Sequence, residues 1–482
     1  MSSSSLLKSG LWITASNFSR RFFALLSNLV LARLLLPADF GVISIAYIFW
    51  SLFTLFIQNS TGLFILYKGT SEKRYLDTTY SVSLAIGAVI GVALAAIAPL
   101  VARFFDEPVL TWLLLAYSVN LFLSSGYYVY AAILMRQKQY GVLAKDTFIA
   151  SMVRLLFTIG SAFLGLSYWS FAIGDAAFWI LSYVLVRYQS HLRLSLRIDP
   201  QIWREVTGYC LSAVGSSFGF YANSNLDNFA VGKLLGKASL GYYNLAYQLA
   251  MALSTILNPV MNELGTPVFA EIKDLHLQEK ALSGVVKQIA YLATPLYALI
   301  FLIVDQRFIV FVFGENWAPV ANILPWLLLS TYSRVLNGPL KVMLSAKGMP
   351  NINAKVNLAI APVAVGSFFL GAHLGGVIGV AIAAAIILGL VWTLFWWWVG
   401  CRAVGWSMAR ILLPVIKPFV LTLAALVVAM PLPSIVRAVA FTLLYLGLLR
   451  LFDSQQLFSY MAIAKQSLSK VIRRIRQASA QS

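Results

Sequence analysis

Runs of about twenty predominantly apolar residues recur from residue 9 to residue 450 of this 482-residue chain. A run of that length is what an α-helix needs to cross a hydrocarbon core about 30 Å thick. In that medium no water bonds the backbone, so each segment must pair its own N–H and C=O groups, as a helix does. Only 11% of the residues are charged, against about 25% in a soluble domain. The apolar runs therefore cannot be the hidden cores of a water-soluble protein, and the expected fold class is an all-α polytopic membrane protein.

Fourteen helices are expected, over 9–35, 40–66, 78–101, 109–135, 146–166, 169–188, 207–232, 238–262, 285–304, 319–343, 354–373, 376–400, 411–431 and 433–450. The opening "MSSSSLLKSGLWITA" runs into the first of these without a convincing cleavage site and reads as an uncleaved helix. With the N-terminus inside, 25 of the 36 basic residues fall in cytoplasmic segments and six on the other face. This bias supports cytoplasmic N- and C-termini. It also accounts for the net charge of +19 without invoking nucleic acid. Cys210 and Cys401 indicate no disulfide framework. His191, His276 and His373 lack metal-ligand spacing, so neither a metal nor a cofactor is expected. In the tail 453–482, Leu457, Met461, Leu468 and Ile472 share one helical face and Lys470, Arg473 and Arg474 lie largely elsewhere. That arrangement fits a surface of anionic membrane lipid.

Five basic residues fall inside the expected helices: Arg20, Arg21, Arg154, Arg334 and Lys417. Lys417 lies near a cytoplasmic helix end and is expected to snorkel. An Arg at the centre of a membrane helix costs about 2.5–3.5 kcal/mol on insertion scales, so the four arginines need a reason. At 3.6 residues per turn they fall on polar stripes. The first helix aligns Asn17, Arg20, Arg21 and Asn28; the second carries Gln58, the fourth Asn120 and the fifth Arg154. The seventh carries Asn223 and Asp227, the eighth Asn244 and Gln248, and the tenth Arg334 and Asn337. Helices 3, 6, 9 and 12 lack such stripes and are expected to face lipid or the outside of the bundle. Polar faces cannot all turn to lipid. Asp146, Asp175 and Asp227 are too few and too dispersed to pair every buried guanidinium. The expectation is a wet, cationic cavity; the competing reading is a set of structural ion pairs such as Arg334 with Asp227. Guanidinium forks match phosphate and carboxylate oxygens, while Asn17, Gln58, Asn120, Asn223, Asn244, Gln248 and Asn337 match sugar hydroxyls.

An internal repeat organises these helices. "ARLLLPADFGVISIAY" (32–47) lies over "GKLLGKASLGYYNLAY" (232–247) without a gap, pairing Arg33 with Lys233, Gly41 with Gly241 and Tyr47 with Tyr247. A weaker echo at a shift of 210 pairs Leu134, Ala144 and Lys145 with Leu344, Ala354 and Lys355. Six helices separate equivalent positions, so the halves cross the membrane in the same sense, with a pseudo-two-fold along the normal and the binding site between them. The expected division is an N-lobe (1–206), a C-lobe (207–400), two extra helices (401–452) and the tail (453–482).

The stretches "LARLLLPADFG" and "DNFAVGKLLGKASLGYYNLAYQL" resemble those of the Wzx-type polysaccharide transporters, a branch of the multidrug/oligosaccharidyl-lipid/polysaccharide exporter superfamily that also holds MurJ and MATE transporters. The matching residues are Arg33, Leu35, Pro37, Asp39, Phe40 and Gly41, then Asp227, Gly232, Leu240, Gly241 and Tyr243. The resemblance implies two pseudo-symmetric six-helix lobes plus two extra helices. It also implies a flippase that moves an undecaprenyl-diphosphate-linked oligosaccharide across a bacterial inner membrane by alternating access. A polysaccharide polymerase and export machinery would be its partners. Arg20, Arg21, Arg154 and Arg334 are then expected to hold the diphosphate or acidic sugars, and Asp227 either pairs an arginine or carries a coupled cation. Two rivals are weaker. A multidrug cation antiporter of the same superfamily would place carboxylates in its lobes, whereas the first helix here holds arginines. A membrane glycosyltransferase or ligase would need a large external loop, and the longest here is "DQRFIVFVFGENWAP".

Overall fold

The computed structural model describes residues 3–58, 60–69 and 71–456, in which helices are the sole regular element. In chain order these are α1 (Ser3–Leu34), α2 (Pro37–Gln58), α3 (Thr61–Lys68), α4 (Lys73–Phe104) and α5 (Val109–Arg136). Then come α6 (Tyr140–Phe163), α7 (Trp169–Gln189), α8 (Pro200–Glu271), α9 (Leu275–Ile303) and α10 (Gln306–Phe313). Last are α11 (Val320–Ala346), α12 (Pro350–Ala383), α13 (Trp392–Val404), α14 (Met408–Ala429) and α15 (Ser434–Phe452). Among the described residues seven helical stretches are long and apolar enough to cross a membrane by length and composition. The chain is a multi-pass membrane protein, and the basic tail falls largely outside the described residues.

Every expected helix lies on an observed one, but three boundaries differ for local reasons. The window 40–66 is two helices, α2 and α3. At the break Ser60 Oγ donates to Ile57 O at 2.8 Å and Thr61 Oγ1 meets Ser83 Oγ at 2.8 Å, so short hydroxyl side chains compete with the helical ladder. Conversely, α8 runs through two expected helices, with Gly236 at φ 79° as its one non-helical residue; glycine occupies that left-handed region without a Cβ clash. Likewise α12 bends at Gly375 and Gly376, then continues through a wide π-helical stretch (Ala384–Val391) into α13.

Contacts divide the chain into two compact units, Met1–Ile272 with Gln306–Val404, and Lys273–Asp305 with Gly405–Ser482. In the second, α9, α14 and α15 share a core around Tyr291, Leu421, Phe441 and Tyr445. Lys417, expected to snorkel, pairs with Asp453 just past the end of α15 at 2.9 Å, and the same carboxylate accepts from Tyr291 OH at 2.6 Å.

In the first unit α2 packs on α8, and the repeat is visible as reciprocal contact. A Cβ built on Gly41 would lie 1.8 Å from Lys237 O, and one on Gly241 would lie 1.9 Å from Pro37 O. Positions 37 and 41 thus meet 241 and 237, an isologous pairing as in a two-fold dimer. The next pair of repeat mates is also exchanged: Arg33 Nε donates to Val312 O at 2.8 Å near the end of α10, and Lys233 Nζ donates to Phe104 O at the end of α4. Each cation meets carbonyls left free at a helix C-terminus, where positive charge is favoured. Trp317 Nε1 to Ala32 O (2.7 Å) and Lys237 to Glu107 (2.7 Å) close the same end. These contacts explain the two sequence motifs. Pro37 opens α2, where its missing N–H is not needed; the Asp39 carboxylate accepts from Leu36 N at 3.0 Å; and the two glycines permit backbone-to-backbone approach.

Candidate functional site

Two cavities open beside Arg20. On α1, Arg20, Ala24 and Asn28 are four residues apart and so share a face. They line a cavity of about 290 Å³ together with Ser44, Tyr47 and Trp50 of α2, Arg154 of α6, Asp175 of α7, and Asn244 and Gln248 of α8. A second cavity, about 380 Å³, is lined by Arg20, Gln58, Tyr127, Tyr128, Thr147 and Trp179 among others. Arg20, Phe178 and Trp179 belong to both walls. Arg20 has no ion pair among the described residues and is exposed.

Arg154 is different. Its Nε donates to Asp175 Oδ1 at 2.6 Å, while Tyr47 OH (2.6 Å) and Tyr117 OH (2.9 Å) donate to Asp175 Oδ2. This carboxylate is met by one guanidinium and two phenols, as a buried charge must be. Arg154 therefore lines the cavity as half of an ion pair. Among the described residues the first cavity is lined by two arginines and one aspartate and the second by Arg20 as its sole charged residue, a net charge of plus one for each.

The second half of the repeat builds a related cluster. Arg334 Nη1 donates to Tyr247 OH at 2.8 Å, and Tyr247 is the repeat mate of Tyr47. Asp227 accepts from Tyr243 OH at 2.9 Å and from Asn228 N at 2.8 Å. Among the described residues Arg334 forms no ion pair, so the competing Arg334–Asp227 bridge is not the arrangement found.

The other expected residues are placed as follows. Asn28 Nδ2, Gln248 and Asn244 form a chain of amide hydrogen bonds that ties α1 to α8. Gln58 lines the larger cavity. Arg21 is half-buried and lines neither cavity. Asn120 is 2% exposed, and its Nδ2 has no partner among the described residues. Asn337 is held in packing: it donates to Thr393 Oγ1 at 2.9 Å and accepts from Trp397 Nε1 at 3.0 Å. The side chains of Asn17 and Asn223 lie outside the described residues.

One expectation is corrected. The helix expected over 169–188, α7 here, lacks a polar stripe, which predicts a place facing lipid or the outside of the bundle. The structure turns Phe171, Asp175, Phe178 and Trp179 into the cavity walls. The signal was present as Phe171, Asp175 and Trp179 at spacings of four, an aromatic face with one acid in it.

Comparison with known proteins fits this architecture. The chain is 24% identical over 416 residues to the lipopolysaccharide biosynthesis protein WzxC of Escherichia coli (strain K12), covering 83% of this chain and 82% of that protein. It is 23% identical over 381 residues to the teichuronic acid biosynthesis protein TuaB of Bacillus subtilis (strain 168), covering 76% of each. Among solved structures it is similar to the lipid II flippase MurJ in an inward closed conformation, with a TM-score of 0.73 at 14% identity over 93% of this chain and 99% of that one. An inward-facing multidrug resistance MATE family transporter gives a TM-score of 0.64 at 14% identity, over 80% and 94%. These two establish the fold. The polysaccharide biosynthesis protein family profile matches residues 30–322, more than half of the chain and including both repeat motifs. On that match, the chain is a member of the polysaccharide biosynthesis protein family.

Proposed function

We propose that this protein is a flippase for a lipid-linked oligosaccharide of the polyprenyl-diphosphate type. It acts in a bacterial inner membrane with both termini cytoplasmic, and supplies a polymerase and export machinery on the other side. Family membership, relatives named for lipopolysaccharide and teichuronic acid biosynthesis, and the fold shared with a lipid II flippase support this reading. The observation that carries it is Arg20: a guanidinium without an ion pair among the described residues, at the junction of two cavities whose described walls are each net positive. A multidrug antiporter would offer carboxylates to a cation there, but the one carboxylate among the described residues of these walls, Asp175, is already held by Arg154.

In this reading Arg20 holds the diphosphate, with Gln58, Asn244 and Gln248 contacting sugar hydroxyls. Arg154, charge-balanced by Asp175, ties α6 to α7, and Arg334 ties α11 to α8 through Tyr247, so Arg20 supplies the net positive charge of the cavities. The repeat halves 1–206 and 207–400 rock against each other, closing and parting at the α2–α8 contact, to expose the site alternately. The test is glycan export in cells carrying Arg20→Ala, Arg20→Lys or the parent, with membrane levels measured by immunoblot. Arg20→Ala should cut export at least tenfold at unchanged level, and Arg20→Lys should restore part of it. Full export by the alanine variant would reject the role of Arg20.

A further inference from the structure

The two cavities that meet at Arg20 are chemically unlike. In the smaller one the amides of Asn28, Gln248 and Asn244 are bonded to one another, so part of their capacity to meet a sugar is already used. The larger one is aromatic. Tyr127 and Trp179 stand edge to face at 5.6 Å, and Tyr128 lies 5.9 Å from Trp179 and 5.4 Å from Tyr127. Tyr127 and Tyr128 are half-buried and Trp179 is 7% exposed, and all three line the cavity wall. Gln58 and Thr147 add hydrogen-bonding groups to the same wall.

A pyranose ring has an apolar C–H face and a polar hydroxyl rim. An aromatic ring carries negative charge on its face and attracts such C–H edges. Arg20 also disfavours the other usual occupant of an aromatic box, an organic cation. We infer that Tyr127, Tyr128 and Trp179 form the subsite for the first sugar of the substrate, the one joined to the diphosphate. With the diphosphate at Arg20, that sugar is the group placed in the larger cavity, and these rings set the tolerance for it. The inference rests on the flippase reading above.

The test uses purified full-length protein in nanodiscs and two probes, undecaprenyl diphosphate and undecaprenyl diphosphate carrying one glucose. The parent should bind the sugar-bearing lipid about threefold to tenfold more tightly, the size of an aromatic contact. Tyr128→Leu should remove that difference while leaving affinity for the bare diphosphate lipid unchanged. Tyr128→Phe, which keeps the ring and guards against a folding defect, should retain it. Arg20→Ala should weaken both probes alike. A Tyr128→Leu variant that keeps the full sugar increment, or a parent that binds both lipids equally, overturns the aromatic subsite and leaves the flippase standing. A parent that binds neither probe overturns the flippase reading itself.

Discussion

The reciprocal glycine contact between α2 and α8 makes the sharpest prediction. In Gly41→Ala the new Cβ would stand 1.8 Å from Lys237 O, 2.5 Å from its carbonyl carbon and 2.8 Å from its Cα. These are all backbone atoms, so no side chain can rotate away. Reaching the 3.0 Å that real Cβ contacts respect needs 1.2 Å of separation between the helices. Overpacking of this kind costs about 1–3 kcal/mol. The cost falls on the state in which α2 and α8 touch, so it appears as a shift of about 5- to 150-fold toward states in which they part. Gly241→Ala, with its Cβ 1.9 Å from Pro37 O, should act alike because the contact is two-fold. Ser44 lines the smaller cavity on the same end of α2. In Ser44→Cys, labelling of intact cells with a membrane-impermeant maleimide should be slow with Gly41 and fast with Gly41→Ala. If the double variant reaches the membrane at normal levels and stays unlabelled, the contact is not a closure between the halves.

Other outcomes follow from single contacts. Asp175→Asn leaves the Arg154 guanidinium without its counter-charge. Breaking a buried pair from one side costs about 3–5 kcal/mol, so Tm in detergent should fall, and Asp175→Leu combined with Arg154→Leu should recover much of it. At the start of α8 the hydrogen bond from Arg74 holds the Asp199 carboxyl below its ordinary range. A depressed carboxyl stabilises above its unfolded pKa, about 3.9, and that stabilisation is lost as pH falls through the folded value. The Tm difference between the parent and Asp199→Asn should therefore be constant near neutrality and shrink below about pH 4; a difference independent of pH would refute the linkage.

The sequence by itself determined the helices and their pairing into a repeat, because both follow from local necessity. Lipid leaves the backbone of an apolar run no other way to satisfy its bonds. A point where two backbones touch tolerates only glycine, so Gly41 and Gly241 mark the two-fold in plain letters. Tertiary structure alone decided which arginine is free. Arg154 and Asp175 sit on different helices, and a bond of 2.6 Å depends on how α6 and α7 are rotated and docked. Periodicity names a face without saying what it meets. For that reason Asn337, on a polar stripe like Gln248, is committed to Thr393 and Trp397, and α7, with no polar stripe, supplies the acid and three of the rings of the site.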